Sequence, residues 1–199
     1  MSAQNYNETE IKLYVPDLDA VKQKLEAAGA TLIAPRVYER NVRYDDAERS
    51  LTPKGIVVRL REDTRVRLTY KDDGEAKDGI VSRFEAEVEV SDFDAMQTIL
   101  GKMGYSPYLV YEKYRTTYEM NEAEIVLDEM PYGNFVEIEG ETGTIKTLVK
   151  TLNLGSAKQF QGSYSTLFER LRKKLGLTFS DLTFANFKSV KVKEDDFEI

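Results

Sequence analysis

The sequence predicts an α+β fold: an eight-stranded antiparallel β-barrel with helices packed on its outside and a pseudo-two-fold internal repeat. Three observations predict it. Eight segments alternate charged with apolar residues at the period of a strand. Amphipathic helical segments lie between them and need an apolar surface to cover. A strand–helix–strand pattern also occurs twice, at a constant offset of 75 residues.

The elements follow in order. Glu8–Tyr14 alternates polar residues with Ile11, Leu13 and Val15. Pro16-Asp17 opens a helix that runs through Ala28 and stops at Gly29. Val37–Tyr44, Ile56–Arg61 and Arg65–Lys71 read as strands, the last two paired as a hairpin. Asp72–Gly79 reads as a polar loop, a flexible lid or an idle connection. Arg83–Val90 is a strand, and Ser91 starts a helix to about Met103. Leu109–Glu119, Glu124–Glu129 and Phe135–Glu139 complete the set of eight, a number that closes into a barrel. Two further helices are expected over Thr144–Leu152 and Tyr164–Leu175. Residues 1–188 are expected to form one domain, and 189–199 a charged tail whose composition also suits disorder. In the repeat, Asp17, Asp19, Ala20, Leu25 and Gly29 match Asp92, Asp94, Ala95, Leu100 and Gly104.

Composition excludes much chemistry. The chain has 199 residues, no Cys and no His. Thiolate nucleophiles, imidazole catalysis and Cys- or His-bound zinc are therefore ruled out. Any metal must be held by oxygen, which suits hard ions. A net charge of −7 argues against a general nucleic-acid or anionic-membrane binder. The polar N-terminus and the lack of a long apolar run make a cytoplasmic protein the expectation.

The charges inside the strands carry the functional signal. Residues i and i+2 of a strand share a face. Glu8, Glu10 and Lys12 therefore form one row, and Arg59 and Arg61 another, with Val58 and Leu60 opposite. Arg67, Thr69 and Lys71 share a face, as do Arg83, Glu85, Glu87 and Glu89. Lys113 with Arg115, Glu124 with Asp128, and Glu137 with Glu139 complete the rows. A charged strand face usually meets water. Here nearly every strand has one, and the helices must cover the apolar faces. The charged faces then turn inward and line a lumen. Mixed charges relieve part of the repulsion there, and a polyanion with divalent cations relieves the rest. Arg and Lys rows suit phosphate oxygens, and converging carboxylates suit a metal ion. No Gly-rich phosphate loop is present, so side chains must hold the phosphates.

Glu8-Thr9-Glu10-Ile11-Lys12 resembles the ExExK signature of the CYTH superfamily, the triphosphate tunnel metalloenzymes. Val58-Arg59-Leu60-Arg61, Leu68-Thr69-Tyr70-Lys71 and Arg83-Phe84-Glu85-Ala86-Glu87 follow in the family's order. So do Glu112-Lys113-Tyr114-Arg115, Leu127-Asp128 and Gly133–Glu139, a match over residues 8–175. The resemblance implies that Glu8, Glu10, Asp128, Glu137 and Glu139 bind Mg²⁺ or Mn²⁺. It implies a triphosphate clamp of Arg59, Arg61, Lys71 and Arg115, with Lys12 facing the phosphates. It also implies that Glu85 and Glu87 form a further acidic row with a catalytic role, serving a second metal. Arg40, Arg43, Arg83 and Lys113 are candidate lining residues, with surface salt bridges as the alternative.

Family members hydrolyse inorganic, thiamine or RNA triphosphates or cyclise ATP. The expectation is metal-dependent hydrolysis of a small-molecule triphosphate. Class IV adenylate cyclisation is the alternative, and noncatalytic triphosphate binding the second alternative. The base is left among a carboxylate, a metal hydroxide and a Lys12 of depressed pKa. Tyr132, Phe135, Phe179, Phe184 and Phe187 read as core, with a base platform or a homodimer contact as the alternative.

Overall fold

The computed structural model describes residues 6–197. Strands β1 (Asn7–Tyr14), β2 (Thr31–Asp45), β3 (Val57–Glu62) and β4 (Val66–Lys77) make the first half. Strands β5 (Ile80–Val90), β6 (Ser106–Met120), β7 (Ala123–Met130) and β8 (Gly133–Glu139) make the second. Helix α1 (Leu18–Ala27) follows β1, and α2 (Phe93–Lys102) follows β5. After β8 come α3 (Thr142–Thr151), a two-residue β9 (Lys158–Gln159), α4 (Tyr164–Leu175) and a short α5 (Phe184–Phe187).

The sheet order is β5-β4-β3-β2-β6-β7-β8-β1-β9, and β1 also pairs with β5. Eight strands therefore close into the expected ring, all neighbours antiparallel. Advancing each strand number by four reproduces the same ring read in reverse, so the halves are pseudo-symmetric. The repeat is visible in detail: β2 and β6 pair with each other and are each 15 residues long. Asp17 and Asp92 are both N-caps, accepting the N–H of Ala20 at 3.1 Å and of Ala95 at 2.7 Å. Gly29 (φ +82°) and Gly104 (φ +93°) take the left-handed conformation just past the two helices.

The apolar rows face outward and meet the helices. Ile11, Leu13, Ile125, Leu127, Val136 and Ile138 are covered by Val21 and Leu25 of α1 and by Ile145 and Leu148 of α3. Val42, Tyr44, Val58 and Leu60 pack under Leu100 of α2. Burying each such side chain contributes about 1.5–3 kcal/mol. A third cluster of Leu109, Tyr132, Phe135, Tyr164, Phe168 and Phe187 joins α4 and α5 to one end of the ring. No described helix is long and apolar enough to cross a membrane.

Two segments differ from expectation. Asp72–Gly79 is not a loop: β4 continues to Lys77, with a register shift between Lys71 and Gly74. The turn is only Asp78 (φ +54°) and Gly79 (φ +79°), a two-residue hairpin whose positive φ values match the right-handed strand twist. Polar composition concealed strands because this hairpin is exposed on both faces. The charged tail is packed as well. Glu194–Phe197 forms a 3₁₀ turn, and Phe197 is buried against Tyr14, Tyr132, Phe135 and Phe160. One aromatic ring anchors it despite its charged neighbours. Residues 1–5 and 198–199, the ends of the expected domain and tail, lie outside the described residues.

Candidate functional site

The ring encloses a cavity of about 470 Å³. Ten basic and seven acidic side chains line it, with Val57 and Val126 its only aliphatic residues among those described. Strand register explains the arrangement. Arg59 and Arg61 of β3 lie between Arg43 and Asn41 of β2 and Thr69 and Arg67 of β4. Lys71 stands opposite Glu85, and Arg115 opposite Asp128. Glu10 and Glu139 are cross-strand partners, and Glu139 is also the partner of Glu124.

Opposite charges interleave throughout. Lys12 Nζ lies 2.5 Å from Glu137, and Lys71 Nζ 2.8 Å from Glu8, with Glu85 also in contact. Arg83 bridges Glu8 and Glu10, each at 3.1 Å. Arg61 reaches Glu39 at 3.3 Å and Glu87 at 3.1 Å, while Arg59 reaches Glu87 at 3.5 Å. Asp128 is fully buried and accepts from Lys113 (3.0 Å), Arg115 (2.6 and 2.7 Å) and the Tyr164 hydroxyl (2.8 Å). Buried charges of this kind persist only when paired and hydrogen-bonded.

The pairing sets the protonation states. Burial opposes charge on Lys12, yet Glu10 and Glu137 outweigh it and raise its pKa above the ordinary value. Burial would likewise raise Glu39, but Lys113, Arg115 and Arg61 hold it well below the usual carboxylate range. Glu85 is pushed up to about 7 by burial and by its hydrogen bond with Glu8. Glu8 itself is lowered by that bond together with Lys71 and Arg83, against burial. The pair thus titrates jointly, and Glu85 exchanges its proton near neutrality. Partial burial and the neighbouring Glu8 and Glu124 raise Glu139 to about 8.

Most expected lining residues are brought together: Glu8, Glu10, Lys12, Arg43, Arg59, Arg61, Lys71, Arg83, Glu85, Glu87, Lys113, Arg115, Glu137 and Glu139 all border the cavity. Arg40 does not. Its side chain is 39% exposed on the outer face, 4.0 Å from Glu62 and over the Phe93 ring. It is an odd number of residues from Arg43, so one strand cannot turn both inward. Lys12 is held as an ammonium in this geometry, since Glu10 and Glu137 raise its pKa, whereas a base would need it lowered. Asp128 and Glu137 are paired with the cations in this geometry, Asp128 with Lys113 and Arg115 and Glu137 with Lys12 and Arg115.

Several residues escaped the sequence reading. Glu39 is buried between Arg61 and Lys113, and its parity with Arg43 was the available signal. Glu124, expected in a charged row with Asp128, is brought beside Glu139 by strand register. Tyr111 donates no charge, yet its hydroxyl sits 3.1 Å from Arg59. Ser163, Tyr164 and Ser165 reach the cavity from α4, far away in sequence. Of the aromatic residues expected as core, Tyr132, Phe135 and Phe187 are buried, and Phe179 and Phe184 are half-buried.

No three carboxylates among the described residues converge on one point in this geometry. The donor chemistry nonetheless fits a hard cation: Glu10, Glu139 and Glu124 occupy one row across three adjacent strands. Burial first, and then the charges of Glu8 and Glu124, raise the Glu139 pKa, and a divalent ion would offset those charges.

Known proteins share this architecture. Adenylate cyclase CyaB of Aeromonas hydrophila is 27% identical over 186 residues, spanning 85% of this chain and 94% of that protein. A Vibrio parahaemolyticus structure provisionally named an adenylate cyclase superposes with a TM-score of 0.73 at 21% identity, covering 83% of this chain and 99% of that one. A Hippeastrum protein described as having a dominant triphosphatase activity superposes with a TM-score of 0.62 at 19% identity, covering 81% and 95%. The CYTH domain signature matches residues 7–171, so the closed ring, its charged interior and the sequence agree that this chain belongs to the CYTH family.

Proposed function

We propose that this protein hydrolyses a small-molecule triphosphate with the help of Mg²⁺ or Mn²⁺. One observation carries the reading: ten cationic side chains converge inside a closed ring whose lining is mostly polar. Such a cavity recognises phosphate oxygens before any organic group. Arg59, Arg61, Lys71 and Arg115 hold the phosphates and offset the charge that spreads over their oxygens during transfer. Lys12, Arg83 and Lys113 add fixed positive charge. Entry of the anion releases carboxylates such as Glu8, Glu10 and Glu87 from their present cation partners. Glu8, Glu10, Glu124 and Glu139 would hold the ion. Held there, such an ion would supply Lewis-acid withdrawal of electron density from the phosphate oxygens and so favour attack by water. Glu85, titrating at about 7, is matched to accept the proton of that water. The surrounding ring limits access of bulk solvent, which strengthens every interaction inside it.

A second reading has one specific support, the likeness to the Aeromonas hydrophila adenylate cyclase. There the ribose 3′-hydroxyl of ATP attacks the α-phosphorus and pyrophosphate leaves, on the same clamp. Incubation of the protein with Mg²⁺ or Mn²⁺ and tripolyphosphate, thiamine triphosphate or ATP separates the readings. Orthophosphate with the corresponding diphosphate supports hydrolysis. Cyclic AMP with pyrophosphate replaces it by cyclisation.

A further inference from the structure

Arg43 differs from the other deep cations of the tunnel. Lys12, Arg59, Arg61, Lys71, Arg83, Lys113 and Arg115 each have a carboxylate within 4.0 Å. Arg43 is 6% exposed and has no carboxylate partner among the described residues. Its Nη1 donates to Ser165 Oγ at 2.6 Å, and its buried Nε has no partner there. Arg59 is its cross-strand neighbour, which adds a second positive charge.

The first turn of α4 faces the same corner. Ser163, Tyr164 and Ser165 all line the cavity. Ser163 caps the helix by accepting the N–H of Thr166 at 3.2 Å, and its hydroxyl lies 2.7 Å from that of Ser165. The N–H groups of Tyr164 and Ser165 have no acceptor within the helix, and the helix dipole is positive at this end. A guanidinium, two hydroxyls and a helix start therefore converge without a counter-ion. Leaving a buried cation uncompensated destabilises the empty protein, so the arrangement is explained by an anion that completes it.

The position in the tunnel says which anion. Leu109, the cross-strand partner of Arg43, is buried with Tyr164 and Phe168 in the cluster that packs this end of the ring. Packed side chains back the corner on that side, which favours a small anion over an organic substituent. The carboxylate end is open: Tyr6, Asn7, Glu124 and Glu139 are all exposed. A terminal phosphoryl group is small, carries the most charge of the chain and presents three non-bridging oxygens to donors.

We propose that the corner of Arg43, Ser165 and the α4 N-terminus binds the terminal phosphoryl group of the triphosphate, with the organic substituent directed to the open mouth. The assignment rests on the tunnel being a triphosphate site, and the test separates the two ideas. Calorimetry on the full chain with Mg²⁺ would use the non-hydrolysable imido analogue of tripolyphosphate and its ester methylated on both terminal phosphoryl groups, which leaves no free end. Arg43→Gln is expected to weaken the free analogue by about 10- to 100-fold and to abolish the wild type's preference for it over the ester. Ser165→Ala moves both readings the same way by less, and Arg40→Gln, on the outer face, stays within about twofold. Arg43→Gln without ligand melts at or above the wild-type temperature, since an unpaired buried charge is removed. If Arg43→Gln and Ser165→Ala bind like wild type while Arg59→Gln does not, the corner assignment fails and the triphosphate reading stands. Equal weakening of the free and esterified probes also overturns it, because the corner then holds another part of the chain. If wild type binds neither probe, the triphosphate reading itself falls and takes the assignment with it.

Discussion

The two faces of β3 bury opposite chemistry. Val58 and Leu60 point outward under α2, and Arg59 and Arg61 point into the tunnel. All four are less than a tenth exposed. On the outer face burial removes apolar surface from water and stabilises the fold outright. On the inner face burial desolvates charges, and the ion pairs recover little more than that loss. The ring is therefore held together from outside. Its interior is a set of charges that only a matching ligand fully satisfies.

The comparison is broken most severely at Asp128. Asp128→Ala leaves Lys113 and Arg115 buried without their main counter-ion, and is expected to lower stability by about 3–5 kcal/mol in denaturant melts. Leu60→Ala, on the outer face, costs about 2–5 kcal/mol by opening a cavity under α2. Turnover per folded molecule should be unchanged in that variant. Arg59→Met sharpens the contrast. Its melting temperature stays near or above wild type, while kcat on tripolyphosphate falls by about 10²- to 10³-fold.

A smaller effect is expected from pH. Glu85 and Glu139 have folded-state pKa values of about 7 and about 8, raised from the ordinary 4.5. Raised carboxyls contribute stability that is complete below the unfolded pKa and is lost as pH rises through the folded value. The metal-free protein should therefore lose stability between about pH 5 and 8. Thermal midpoints measured in chelator check this, and Glu139→Gln should flatten the upper part of the slope. Added Mg²⁺ should reverse the loss. The smallest effect is at Arg40, where Arg40→Gln changes stability and turnover by no more than about 0.5 kcal/mol, read from melts and steady-state rates.

The site was legible wherever strand parity alone decides a side chain's direction. Arg59 with Arg61, and Glu137 with Glu139, needed only the period of two. At β2 parity was available and went unused: Arg40 and Arg43 are three residues apart and cannot share a face, while Glu39 shares that of Arg43. Parity said nothing of Ser163 and Ser165, which enter through the docking of a helix far along the chain. The hairpin through Asp78 and the anchoring of Phe197 were hidden by polar composition.

By itself the sequence determined the closed antiparallel ring, its repeat and the inward charges. Period, helix caps and amphipathic faces are local and agree with one another. Only the tertiary structure decided which charges neutralise one another, because pairing across the ring depends on register between strands distant in sequence. That is how Glu39 came to sit between Arg61 and Lys113, and how Arg43 was left under α4 without a counter-ion.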